Sequence, residues 1–121
     1  MQTKVYLVKI SGFDTHNSQV ASNSAAYLGV HADLLAQISG AVTNFITDLN
    51  NQNSGDDVLA VTFSEFGRKA AENGNLGTDH GEIAPMFVFG SSLNGVISGT
   101  NINLSEAVAG NNFQVETVQH D

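Results

Sequence analysis

Apolar positions follow two rhythms along this chain. The run Val5-Tyr6-Leu7-Val8-Lys9-Ile10 is rich in β-branched and aromatic residues and stops at Ser11-Gly12, which predicts a first strand. Residues 14 to 30 are small and polar, with Asn17, Ser18, Ser22, Asn23 and Ser24, and read as a long surface loop. From His31 to about Asn50, the residues Leu34, Leu35, Ile38, Val42, Phe45, Ile46 and Leu49 recur at three- and four-residue spacing, one face of an amphipathic helix. The connector Asn50-Asn51-Gln52-Asn53-Ser54-Gly55 follows, with its glycine expected to take the positive φ of a turn. Val58-Leu59-Ala60-Val61-Thr62-Phe63 is apolar on both alternating faces, the pattern of a strand buried in a parallel sheet.

Strand, helix and strand together predict a βαβ unit with a right-handed crossover and both strand ends on one edge of the sheet. Farther on, Arg68-Lys69-Ala70-Ala71-Glu72 predicts a short helix closed by Asn73-Gly74, and Met86-Phe87-Val88-Phe89 another buried strand. Asn94-Gly95 marks a turn before Val96-Ile97, and the chain beyond Leu104 is polar without a clear period. The expected class is therefore α/β, a mostly parallel sheet flanked by helices, and 121 residues fit a single domain. The first predicted strand starts only a few residues after Met1 with no capping element ahead of it, so the chain is expected to begin within a domain.

An apolar content of 41% argues against disorder, and 12 glycines against one proline suit many tight turns. The net charge of −8 disfavours nucleic acid and anionic membranes and favours divalent cations as partners. Cysteine is absent, which excludes disulfide and thiolate chemistry. No stretch approaches the ~18 apolar residues of a spanning helix, and the amino end lacks the charged and apolar regions of a signal peptide, so no membrane partner is expected.

Three polar clusters carry the candidate chemistry: Gly12-Phe13-Asp14-Thr15-His16, Ser64-Glu65-Phe66-Gly67-Arg68 and Gly77-Thr78-Asp79-His80-Gly81. Asp14 and His16 are standard ligands for zinc, manganese or iron when a loop lets them converge; the plainer reading is a turn-capping aspartate and a surface histidine. Asp79-His80 between glycines suits a bound ion or, equally, an Asx turn with an exposed histidine. Glu65 at the end of a buried strand would be partly desolvated and need a cation, a metal or Arg68. Arg68 would pair with it or grip a phosphate or sulfate through its fork of donors. His31 reads as a structural first-turn residue of the helix, and His120 as a tail residue without a role.

In this order, the three clusters and the strand Met86 to Phe89 closely resemble the domain-of-unknown-function 1501 family, placed within the alkaline phosphatase and sulfatase superfamily. The resemblance runs from about Lys4 to Gly99. It implies a partial alkaline phosphatase-like sheet, with Asp14, His16 and His80 as ligands of a first divalent metal (zinc, manganese or calcium) and Arg68 on an anionic ester substrate. The superfamily's second metal takes an aspartate-histidine pair where this chain has Glu65-Phe66; glutamate ligates and phenylalanine does not. The superfamily's nucleophile lies in an amino-terminal half that this chain lacks. The resemblance therefore implies the carboxyl-terminal portion of a metal-dependent phosphatase- or sulfatase-like hydrolase, inactive alone, whose natural partner is its missing half. Self-association through a strand edge left unpaired is a further expectation. Family members often carry twin-arginine export signals, which implies a periplasmic or extracellular parent. The alternative is a non-catalytic exported binding or surface protein that retains the fold.

Overall fold

The structure, a computed structural model, describes residues 4–25, 27–82, 84–95, 97–99 and 103–109. Its largest element is α1, Val30–Asn51. Leu34, Ile38, Val42, Ile46 and Leu49 form its half-buried stripe, the face the apolar spacing marks, while Leu35 and Phe45 stay about half exposed. The helix is entered through His31 N–H donating to the Gln19 carbonyl at 3.2 Å and Asp33 N–H to that of Gly29 at 3.0 Å. It ends where Asn53 turns left-handed at φ 54°, a conformation asparagine tolerates. The positive φ expected at Gly55 therefore sits at Asn53. Gly55 is buried because the Asn50 and Ser91 side chains, joined by a 3.0 Å hydrogen bond, leave no room for a Cβ.

Two small antiparallel sheets complete the described architecture. In the first, β1 (Ala60–Val61) pairs with β4 (Val88–Phe89), Ala60 opposite Phe89 and Val61 opposite Val88. Thr62 extends this pairing, its N–H donating to the Phe87 carbonyl and its hydroxyl accepting from Phe87 N–H, both at 2.9 Å. In the second, β2 (Gly67–Arg68) pairs with β3 (His80–Gly81), Gly67 opposite Gly81 and Arg68 opposite His80. This second ribbon positions the candidate site.

Several expectations change here. The run Val5–Ile10 forms no strand and lies open to solvent, Val5 at 91% and Val8 at 80% exposure. The Val58–Phe63 run takes β4 as its neighbour, antiparallel, so the βαβ unit and the mostly parallel sheet do not form among the described residues. No large side chain among them is fully buried, and without a covering layer a strand apolar on both faces gains little from parallel pairing. The short helix expected after Arg68 is also absent. Its first backbone groups are committed to the ribbon, Lys69 N–H donating to the Asp79 carbonyl at 3.0 Å. Asn73-Gly74 is an Asx turn instead of a helix stop, with Asn73 Oδ1 accepting from Asn75 N–H at 3.0 Å.

The observed class is thus mixed, one long helix with small antiparallel sheets. A 3-10 turn at Leu104–Glu106, capped by the Asn103 side chain, closes the described part. Val96 and His120 lie outside the described residues. No helix among those described is long and apolar enough to cross a membrane.

Candidate metal centre

The turn after Phe13 is tight. Thr15 N–H donates to the Phe13 carbonyl at 2.9 Å and His16 N–H to that of Asp14 at 3.2 Å, while Thr15 between them is buried at 7% exposure. The hydroxyls of Thr15 and Thr78 both donate to Gln19 Oε1, at 3.2 and 2.9 Å, so one amide oxygen ties this turn to the loop before β3. Gly77 lets the two backbones touch: a Cβ there would overlap the His16 carbonyl. Arg68 completes the fastening. Its Nη1 donates to the Thr78 carbonyl at 2.6 Å and its Nη2 to the Phe13 carbonyl.

The result is convergence of Asp14, His16 and His80. One ligand atom from each lies within 4.8 Å of the others, and all three side chains face solvent. Asp14 Oδ1 is 2.8 Å from His80 Nε2 and 3.1 Å from His16 Nε2. The two imidazoles lie 4.8 Å apart between centroids, tilted by 40°. Phe66 stacks on His80 at 3.7 Å and 12°, and the Arg68 guanidinium sits 5.2 Å from the Phe66 ring centroid and 3.7 Å from Asp14 Oδ1. The hydrogen bond from His80 holds the Asp14 carboxyl below its ordinary 3.8, with the charges of His16, His80 and Arg68 adding to it against a smaller effect of burial.

A second carboxylate stands behind His16. Asp79 Oδ1 lies 3.5 Å from His16 Nδ1 and accepts from Asn73 Nδ2 at 3.2 Å, while Asp79 Oδ2 is 3.6 Å from Lys69 Nζ. The Asn73 hydrogen bond is the main reason the Asp79 carboxyl also sits below its ordinary value, with Lys69 and His16 contributing.

Of the candidate residues, Asp14, His16 and His80 meet, and Arg68 adjoins them through Asp14. Glu65 does not. It is exposed, is not among the converging ligand atoms, and lines a cavity of about 480 Å³ with Phe63, Phe66, Glu82, Pro85 and Met86. The desolvation expected of it is missing because the pairing with β4 stops at Thr62 and residues 63 to 65 are exposed. His31 packs edge-on against Phe13 at 5.8 Å, and its Nδ1 is buried without a hydrogen-bond partner. Burial, with a smaller push from Arg68, lowers its pKa below 6.5. Gln19, Asn73 and the stacking role of Phe66 were not legible in the sequence. For Asp79, a carboxylate flanked by glycine loops was the available signal, and an Asx turn was the competing reading.

A family model described as "Protein of unknown function (DUF1501)" matches residues 1–121. No curated protein and no solved structure matches the chain.

Proposed function

We propose that the chain, which belongs to the DUF1501 family, holds one divalent metal ion between Asp14, His16 and His80, as the carboxyl-terminal portion of an alkaline phosphatase/sulfatase-like hydrolase of phosphate or sulfate esters. The observation that carries this reading is that ligand atoms of residues as far as 66 positions apart in sequence gather within 4.8 Å of one another, open to solvent. Two imidazole nitrogens and one carboxylate oxygen suit zinc or manganese better than calcium, which favours oxygen ligands, and three protein ligands leave a position open. A bound ion supplies Lewis-acid polarisation of an ester oxygen.

The chain's own residues do the rest. Arg68 keeps a positive charge beside Asp14 and joins the two ligand-bearing loops; holding the Phe13 and Thr78 carbonyls uses two of its five N–H donors, so gripping an ester's non-bridging oxygens would not require it to release either one. One ion rather than two is favoured because Glu65 lies apart and the Phe66 ring packs against His80. The nucleophile belongs to an amino-terminal portion, which would also cover Val5–Ile10 and draw that run into a mostly parallel sheet. The exposure of these apolar residues supports that part of the reading. A non-catalytic binding protein retaining a structural cation is the second reading, favoured by Phe66 standing where a second ligand pair would need a histidine.

The test is metal content by mass spectrometry after identical purification and reconstitution. About one equivalent of zinc or manganese is expected, lost in Asp14→Ala and His80→Ala and retained in Glu65→Ala. A folded chain that takes up no metal, or whose uptake ignores both substitutions, refutes the proposal.

A further inference from the structure

We infer that Asp79 is a positioning residue for His16: it accepts the Nδ1 proton and thereby leaves Nε2 unprotonated and turned toward Asp14 and His80. This rests on the metal-site reading above. An imidazole ligates through the nitrogen that carries no proton, and the partner of the other nitrogen decides which one that is. In His16 the two nitrogens face different carboxylates, Nε2 at 3.1 Å from Asp14 Oδ1 and Nδ1 at 3.5 Å from Asp79 Oδ1. Asp14 is shared with His80, whereas Asp79 contacts His16 from behind.

Asp79 is itself held in place. Asn73 Nδ2 donates both to Asp79 Oδ1 at 3.2 Å and to the His16 carbonyl at 2.8 Å, so one amide ties the carboxylate and the histidine backbone into a single unit. Lys69 Nζ lies 3.6 Å from the other oxygen, Asp79 Oδ2. An aspartate engaged only in a local Asx turn would not reach side chains of two other segments. These contacts restrict both the rotation of the carboxylate and the ring flip of His16, either of which would present the wrong nitrogen.

The experiment measures zinc affinity of the full chain by competition with a chromophoric chelator, together with the Nδ1–H resonance of His16 in nitrogen-15 spectra of the zinc-loaded protein. Asp79→Ala is expected to bind zinc about 10–100-fold more weakly and to lose the protected Nδ1–H signal. Asp79→Asn, which keeps an acceptor oxygen, is expected to retain the signal and most of the affinity. Wild-type affinity and an unchanged resonance in Asp79→Ala overturn the inference alone, provided Asp14→Ala abolishes binding. Equal losses in both Asp79 variants also overturn it, since charge and not orientation would then account for them. A wild-type chain that binds no zinc overturns the metal site and this inference together.

Discussion

Replacing Arg68 by alanine cuts the fastening between the two loops that carry the ligands. The side chain is 19% exposed and reaches three segments: it donates to the carbonyls of Phe13 and Thr78, stands 3.7 Å from Asp14, and lies 5.2 Å from the Phe66 ring. Hydrogen bonds from a charged donor contribute about 1.5–3 kcal/mol each. Both bonds are only partly buried, and the lower figure for each gives ~3 kcal/mol for the pair. The cation–π contact adds ~0.5 kcal/mol, and the pairing with the exposed Asp14 is counted as negligible. A loss of ~3.5 kcal/mol, at ~4 °C per kcal/mol for a chain of this length, lowers the thermal midpoint by ~14 °C. Circular dichroism melts of the metal-free chain measure this directly. Arg68→Lys keeps the charge but reaches one carbonyl, so it recovers about half of the loss. Zinc affinity falls with Arg68→Ala as well, because Asp14 and His80 are no longer held to one another. A midpoint shift below ~4 °C, equivalent to ~1 kcal/mol, with unchanged zinc affinity, refutes the assignment of Arg68 as the joining residue.

Two further outcomes follow from the same geometry. Folding keeps His31 neutral by lowering its pKa below 6.5; the unfolded chain takes up that proton first, so stability present above about pH 6.5 is lost as pH falls through that value, until the folded group also titrates. His31→Phe preserves the ring against Phe13 and is expected to flatten this acid-side decline in urea midpoints; a decline that persists unaltered refutes the assignment. Asp14 and Asp79, both lowered from 3.8, contribute above that value and fail only in stronger acid, outside the same window. Gly77→Ala forces a Cβ into the His16 backbone, with an expected cost of about 1–3 kcal/mol and a displaced His16; native stability and undiminished metal uptake in this variant would show that the two loops do not touch as described.

How much of this was legible varied with how local the cause is. The helix was readable almost to its ends, since the three- and four-residue recurrence from Leu34 to Leu49 records burial on one face of a single element. Of the strands, β1 and β4 were readable as apolar runs but not as a pair, whereas β2 and β3 fall in polar clusters not read as strands and the apolar run Val5–Ile10 forms none. Val58–Phe63 looked like the middle of a parallel sheet, yet its described neighbour is β4 running the other way, because a strand's partner is chosen by distant segments competing for the same edge. The run after Arg68 had helical composition, and the ribbon with His80–Gly81 overrode it by taking the backbone groups a helix would need.

The candidate site divides in the same way. That Asp14, His16 and His80 have metal-ligating chemistry, and that glycines flank Asp79-His80, followed from residue types and spacing alone. Family membership followed from the three motifs in their order. The sequence did not separate Glu65, which is not among the converging ligand atoms, from the three residues that meet, and it gave no hint that Phe66 stacks on His80. Tertiary structure decided both, through contacts among residues far apart in the chain: Gln19 binding two hydroxyls, Arg68 two carbonyls, and Asn73 a carbonyl and a carboxylate. A residue's donor atoms are a local property of its chemistry, while their convergence depends on which loops the polar bridges hold together in three dimensions.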